Sequence, residues 1–376
     1  MSKSLNIAIY IPYNIFKSGG VQEHVTQQAA ILKKRGHTVT VITPRPRAQS
    51  KYKKAPVGFQ FLGVSARIKA PHATSADVSM SLDIEAIDAV LDNNYDVIHV
   101  HEPLSPIAAR QFLARAEGRA LRVGTFHAAL PGNALGKSLV STYKSYAKGV
   151  LPFVDVITAV SPAAVGYIQN YTELPINYIP NGIDATTYKP KAVERDRNMI
   201  LFIGRLEKRK GARQLIRAFS VLKQTKPLAR LIICGDGPLR QSLENYVENL
   251  DLSDDVEFKG YIDDKTKLEL LNTCSVYSSP ALYGESFGIV LAEAMAMQAP
   301  IVCHPNDGYA WVMKDTGRLS LVDCKDPYGY ADRLKLLMED DVLRLVWQAW
   351  AKDYVKQFNY QKIVTAYEKL YKNYLL

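Results

Sequence analysis

Short, almost unbroken apolar runs rich in β-branched residues recur along the chain and alternate with stretches in which apolar positions return every three or four residues. Leu5 to Pro12, Thr38 to Pro44, Asp96 to His101, Leu121 to His127 and Asp155 to Val160 predict strands in the first half. Met199 to Gly204, Arg230 to Gly235, Val256 to Tyr261, Ser275 to Pro280, Pro300 to His304 and Gly317 to Val322 predict strands in the second. Runs that are apolar rather than alternating belong to strands covered on both faces, so each half reads as a doubly wound α/β domain with a parallel sheet. Val21, Val25, Ala29 and Leu32 sit at helical spacing after Gly20, as Leu215, Ile216, Phe219 and Leu222 do after Gly211. Each marks the helix that follows a first strand. Pro175, Pro180, Asn181 and Gly182 interrupt the pattern near the midpoint, which places the boundary between residues 1–180 and 181–356. The aromatic-rich stretch with Phe358, Tyr360, Tyr367 and Tyr371 predicts a last helix able to pack on either domain.

Length agrees with this division, since 376 residues exceed one ordinary α/β core and suit two domains with a cleft between them. No apolar run approaches the roughly 18 residues of a spanning helix. Even Val150 to Val160 is broken by Pro152 and Asp155, and Leu5 to Pro12 is too short for a signal segment. The four cysteines, Cys234, Cys274, Cys303 and Cys324, lack C-x-x-C spacing and lie mostly in apolar runs. They read as reduced core thiols of a cytosolic protein.

Charge alters the picture only in the first half. Residues 1–180 hold 19 Lys and Arg against 11 Asp and Glu, whereas 181–376 hold 28 against 26, so nearly all of the +10 net charge lies before the boundary. Arg45, Arg47, Lys51, Lys53 and Lys54 follow a predicted strand and form either a solvated loop or a contact with anionic membrane.

Candidate chemistry gathers where strands give way to helices. Gly19-Gly20-Val21-Gln22-Glu23-His24 lets backbone approach an anion at a helix start, although it is not the dinucleotide fingerprint. Gly204 to Gly211 occupies the matching turn of the second half and sets Arg205 and Lys210 at a helix entrance, as a diphosphate clamp requires. No Asp-x-Asp triplet offers ligands for a metal on the phosphates. In Gly284 to Ala296, Glu285 precedes a helix and Glu293 is expected about two turns inside it, with the amides of Phe287, Gly288 and Ile289 facing phosphate or sugar. Carboxylates suit polyols because they only accept hydrogen bonds. Two glutamates on one helical segment cannot easily flank a scissile bond, which argues for transfer over hydrolysis. His99, His101 and His127 end or follow strands, where open α/β sheets place ligands, and His127 is the one assigned to the reacting carbon. His99 reads as structural. The imidazoles of His99 and His101 are expected on opposite strand faces, unable to share an ion. Gly136-Lys137-Ser138 falls one residue short of a P-loop because position 131 is proline.

Taken in order, Gly19 to His24, His101-Glu102-Pro103, Phe126-His127, Ile179 to Asp184, Gly204-Arg205 with Lys210-Gly211, and Glu285 to Glu293 make the chain resemble glycosyltransferase family 4 over essentially its whole length. Within that family it looks most like the phosphatidylinositol mannosyltransferases, through Pro12-Tyr13, Gly19 to His24, Val97 to Pro103 and Gly284 to Glu293. The resemblance implies a GT-B fold, two Rossmann-like domains facing a central cleft, with residues 357–376 returning to the first domain. It implies that Gly19, Gly20, Gly204, Arg205, Lys210, Glu285, Ser286, Phe287, Gly288, Ile289 and Glu293 bind the donor. Tyr13, Gln22, His24 and Lys137 would meet the acceptor, and His127, Arg205, Lys210 and Glu285 would form the reacting centre.

The implied activity is retaining, metal-independent transfer of a hexose to a membrane lipid on the inner face of the cell membrane, with no cofactor and no nucleic acid partner. GDP-mannose with phosphatidyl-myo-inositol is one pairing, and UDP-glucose with diacylglycerol or another glycolipid or polysaccharide is the other. A nucleotide-sugar epimerase and a non-catalytic nucleotide-sugar-binding protein remain as other classes. The stretch from Ser75 to Tyr95, where the mannosyltransferases carry a basic amphipathic helix, here holds Asp77, Asp83, Glu85, Asp88 and Asp92 and no Lys or Arg. The 45–54 cluster is the alternative candidate for membrane contact, beside its reading as a solvated loop.

Overall fold

The apolar runs become the central strands of two sheets. The computed structural model describes residues 4–17, 19–46, 55–68, 76–79, 84–105, 108–129 and 145–375. Arg47, Lys51, Lys53, Lys54, Asp83 and Lys137, with the Gly132 to Ser138 stretch, lie outside the described residues. The chain divides into one unit of Met1–Gly182 with Tyr360–Leu376 and a second of Ile183–Asn359.

In the first unit, β1 (Asn6–Tyr10), β2 (Thr38–Arg45), β3 (Phe59–Ile68), β4 (Ala76–Ser79), β5 (Val97–His101), β6 (Leu121–Phe126), β7 (Val156–Ala159) and β8 (Ile176–Tyr178) line up as β4-β3-β2-β1-β5-β6-β7-β8. All pair in parallel except β3 with β4, an antiparallel edge that the sequence pattern did not announce. Central β1 sets Ile7 between Val39 and Val97, and Ile7, Ala8, Ile9 and Tyr10 on its two faces are all fully buried. The last helix, Tyr360–Leu375, belongs to this unit. Its Ile363, Val364, Tyr367, Leu370 and Tyr371 recur at helical spacing and join the core of Val25, Leu32 and Val39, each large side chain contributing about 2–3 kcal/mol by its burial.

The second unit orders β9 (Asp196–Ile203), β10 (Arg230–Cys234), β11 (Val256–Gly260), β12 (Cys274–Ser279) and β13 (Ile301–Cys303) as β11-β10-β9-β12-β13, all parallel. The strand expected over Gly317 to Val322 is not one. Asp315–Ser320 is a 3-10 helix, and only Leu321 bridges Cys303 at the sheet edge. Trp347, fully buried on the helix Asp341–Tyr354, donates its indole N–H to Ser320 Oγ at 2.9 Å and holds the segment as a turn. Three apolar positions there are too few to outweigh that packing.

Both sheets change direction at their first strand. The switch lies between β1 and β5 in the first unit and between β9 and β12 in the second, and open α/β sheets bind ligands beyond the carboxyl ends at such points. All four cysteines are buried and unpaired, as the sequence suggested. Among the described residues no helix is long and apolar enough to cross a membrane.

Candidate functional site

At the switch of the second unit, the segment after β9 and the segment after β12 leave neighbouring strands and meet. The Leu282 amide donates to the Arg209 carbonyl at 2.7 Å, tying the two together. Residues Lys208–Lys210 form a single 3-10 turn, which brings consecutive cations onto one partner. Glu285 Oε1 accepts from Arg209 Nη1 at 2.6 Å and from Lys210 Nζ at 2.7 Å, while its second oxygen takes no hydrogen bond among the described residues. Lys210 and Glu285 are thus brought together. Arg205 is not on this carboxylate; its side chain is 46% exposed and faces Glu207 at 3.6 Å, where it is accessible to an incoming anion. Gly204 closes β9 with its amide on the Cys234 carbonyl at 2.9 Å. Arg209, which the sequence reading passed over, also pairs with Glu207 at 2.6 Å.

The helix Ile289–Ala296 starts later than expected. Gly288 is its N-cap, so Glu293 stands one turn inside it and not two. Phe287 turns into the core against Phe358, with ring centroids 5.2 Å apart, and only backbone is left there to meet a ligand. Ser286 is half-buried beside it. Glu293 Oε1 accepts from the Tyr188 hydroxyl at 2.5 Å and from Lys267 Nζ at 3.2 Å. Burial above all pushes the Tyr277 hydroxyl up, and the fields of Glu293 and Glu285 add to the shift. Tyr188 and Lys267 carried no signal in the sequence beyond being polar.

His304, Asp323 and Cys324 form the one group among the described residues whose ligand atoms lie within 4.8 Å of one another. Burial pushes the Cys324 thiol up to about 12, and the thiol donates to the Pro280 carbonyl at 3.4 Å. A protonated, hydrogen-bonded thiol is a core group and not a ready ligand.

At the switch of the first unit, four imidazoles pack together. His99 and His101 stack with ring centroids 4.3 Å apart, which corrects the expectation of opposite faces: residues two apart on a strand share a face. His99 is structural, its ring nitrogens on the Tyr371 hydroxyl at 2.7 Å and Thr125 Oγ1 at 2.6 Å. His101 Nδ1 lies 2.8 Å from His127 Nε2, and the buried Glu102 carboxylate accepts the His127 amide at 2.8 Å. His24 is 1% exposed, with its ring 5.2 Å from that of His127 and no hydrogen-bond partner on either nitrogen among the described residues. Gly20 begins the helix Gly20–Lys34 and Gly19 precedes it as N-cap, while Gln22 and Tyr13 are half-buried. The structure thus brings His24 and His127 into one buried cluster with His99 and His101.

Burial pushes His24 down to about 4 and His99 to about 3, and holds His101 and His127 well below their ordinary value. The imidazoles are neutral. Glu102 shifts the other way, pushed up to about 7 by burial against the opposing pull of the His127 and Ala128 amides. Below about pH 6.5 an unfolded chain takes up protons that the folded histidines refuse, so stability falls as pH drops toward 4. Glu102 has the opposite sign between its unfolded value and 7, but it is one group against four. The thermal midpoint should therefore fall between pH 7 and 5, and His24→Leu should lessen the slope. A flat or rising midpoint would contradict neutral histidines.

Residues 184–354 match the family model of glycosyl transferases group 1, and residues 18–187 that of glycosyltransferase family 4. The chain is 31% identical to a phosphatidyl-myo-inositol mannosyltransferase of Mycolicibacterium smegmatis, over 98% of this chain and 93% of that protein. It is 27% identical to N-acetyl-alpha-D-glucosaminyl L-malate synthase of Bacillus anthracis over 74% of each. Among solved structures, sucrose-phosphate synthase from Thermosynechococcus elongatus superposes with a TM-score of 0.75 at 20% identity over 98% of both chains. A glycosyltransferase from Rickettsia africae gives 0.76 at 17% identity over the same shares. With a relative 31% identical along nearly its whole length, and two family models aligned in the order of its two units, the chain belongs to glycosyltransferase family 4 and has the GT-B fold.

Proposed function

We propose that the protein is a retaining, metal-independent mannosyltransferase that moves mannose from GDP-mannose to a membrane lipid such as phosphatidyl-myo-inositol, working at the inner face of the cell membrane. The observation that carries the reading is the convergence of Arg209 and Lys210 on Glu285 at the sheet switch of the second unit. Mannose and the lipid come from the relatives, 31% identical and named for that activity.

In this reading the second unit holds the donor and the first the acceptor. The bond from the anomeric carbon to the diphosphate oxygen breaks, the acceptor oxygen attacks from the same face, and its proton passes to the leaving phosphate. Negative charge grows on the diphosphate. Arg205, exposed and loosely paired, and Lys210, on a carboxylate that it can share, stabilise that charge together with the first amides of the helix Ile289–Ala296. In this reading these fixed positive groups take the part that a metal would otherwise play in offsetting the growing charge. Glu285 offers its open oxygen to the hexose hydroxyls, Glu293 accepts from the ribose, and neutral His127 supplies a hydrogen bond and no charge at the sugar.

Two measurements test the reading. GDP should raise the thermal midpoint more than UDP, with about 2.7 kcal/mol of added stability at a hundredfold excess over Kd. GDP-mannose with vesicles containing phosphatidylinositol should give a mannosylated lipid by mass spectrometry. A shift with UDP alone, or no mannosyl product, would overturn the assignment.

A further inference from the structure

Glu293 is held by one oxygen only. Lys267 Nζ lies 2.7 Å from the Tyr188 hydroxyl oxygen, and that hydroxyl lies 2.5 Å from Glu293 Oε1. A carboxylate only accepts, so the tyrosine O–H must donate to it, and the Lys267 ammonium then donates to the tyrosine oxygen. Lys267 reaches Oε1 as well, at 3.2 Å, and its ammonium lies 5.3 Å from the centre of the Tyr188 ring. The chain of donors runs in one direction, Lys267 to Tyr188 to Glu293, and each bond polarises the next. Oε2 takes no hydrogen bond among the described residues and is not sealed in, since the side chain is 13% exposed.

We propose that Tyr188 and Lys267 are positioning residues that hold Glu293 Oε1 so that Oε2 is presented to the vicinal diol of the donor's ribose. The proposal rests on the assignment of Glu293 to that ribose. An unanchored glutamate has three rotatable bonds to order when it binds, whereas this one is ordered beforehand. Tyrosine also does something that lysine alone would not. A bare ammonium beside the carboxylate is free to bridge both oxygens and compete with the diol; with the phenol interposed, its shorter contact is to the phenol oxygen and its contact to the carboxylate falls on Oε1.

The test compares GDP and UDP with their 2′,3′-dideoxy forms, read by calorimetry on whichever diphosphate binds the full-length protein more tightly. Tyr188→Phe should weaken binding of the diol-bearing nucleotide about tenfold, the size of one charge-assisted hydrogen bond, and leave the dideoxy form unchanged. In the transfer assay it should raise KM for the donor and keep kcat. Lys267→Met should act in the same sense, with both variants checked for an unchanged melting profile. Equal losses for both nucleotides, or no loss, would overturn the positioning role. Glu293→Gln separates the two layers: if the unaltered protein prefers the diol and this variant keeps that preference, the ribose assignment itself fails whatever Tyr188→Phe does.

Discussion

Lys210→Ala should lower kcat/KM for glycosyl transfer by about a hundred- to a thousandfold while leaving the protein folded. The magnitude is that of removing one fixed positive group from a site of developing charge, about 3–4 kcal/mol. Folding survives because Glu285 is not orphaned: Arg209 Nη1 remains 2.6 Å from the same oxygen, so no buried carboxylate loses its last partner. Most of the loss should fall on kcat, since the charge that Lys210 meets is greatest when the diphosphate departs. Lys210→Arg restores charge but replaces a compact ammonium with a planar fork beside Arg209, and should recover only part of the rate. Full activity in Lys210→Ala, measured with donor and acceptor at saturation and again below KM, would remove the second unit's cluster from the mechanism.

What the sequence disclosed depended on how much of each feature is local. The central strands β1, β5, β6, β9, β10 and β12 were legible because burial on both faces selects unbroken apolar runs, and that cause acts on every residue of the run. Strand β3 was not, since polar residues and Gly63 interrupt Phe59–Ile68, and β8 has only the three residues Ile176–Tyr178. The stretch from Gly317 has strand-like composition but sits under Trp347, whose contact with Ser320 spans 27 residues of chain and leaves no local pattern. The site divides along the same line. Lys210 and Glu285 were legible as candidates because each lies in the segment that leads from a strand, β9 or β12, to the next helix, and open α/β sheets bind ligands beyond their strand ends. Arg209 was missed because only the 3-10 turn reveals that it shares a carboxylate with its neighbour. Tyr188 and Lys267 come from segments 105 and 26 residues from Glu293, and nothing in either segment points to the other.

Gly211→Ala is expected to cost about 3–5 kcal/mol and most of the activity, because two independent demands fall on one residue. Its backbone is left-handed, at φ 73° and ψ 17°, where a side chain is strained by roughly 1–2 kcal/mol. A Cβ added there would also lie 2.1 Å from the Pro280 carbonyl oxygen, which is backbone and cannot rotate away. The segment after β12 would have to withdraw, stretching the 2.7 Å bond from the Leu282 amide to the Arg209 carbonyl and parting Lys210 from Glu285. Stability and chemistry therefore fail together. Gly36 separates the two causes: it has φ 90°, but a Cβ added there would meet nothing within 4 Å, so Gly36→Ala should show the conformational strain alone, about 1 kcal/mol, with activity kept. Urea unfolding of the two variants, with transfer assayed on each, decides the matter. Equal shifts in midpoint, or an active Gly211→Ala, would mean that the two segments can part without losing the site.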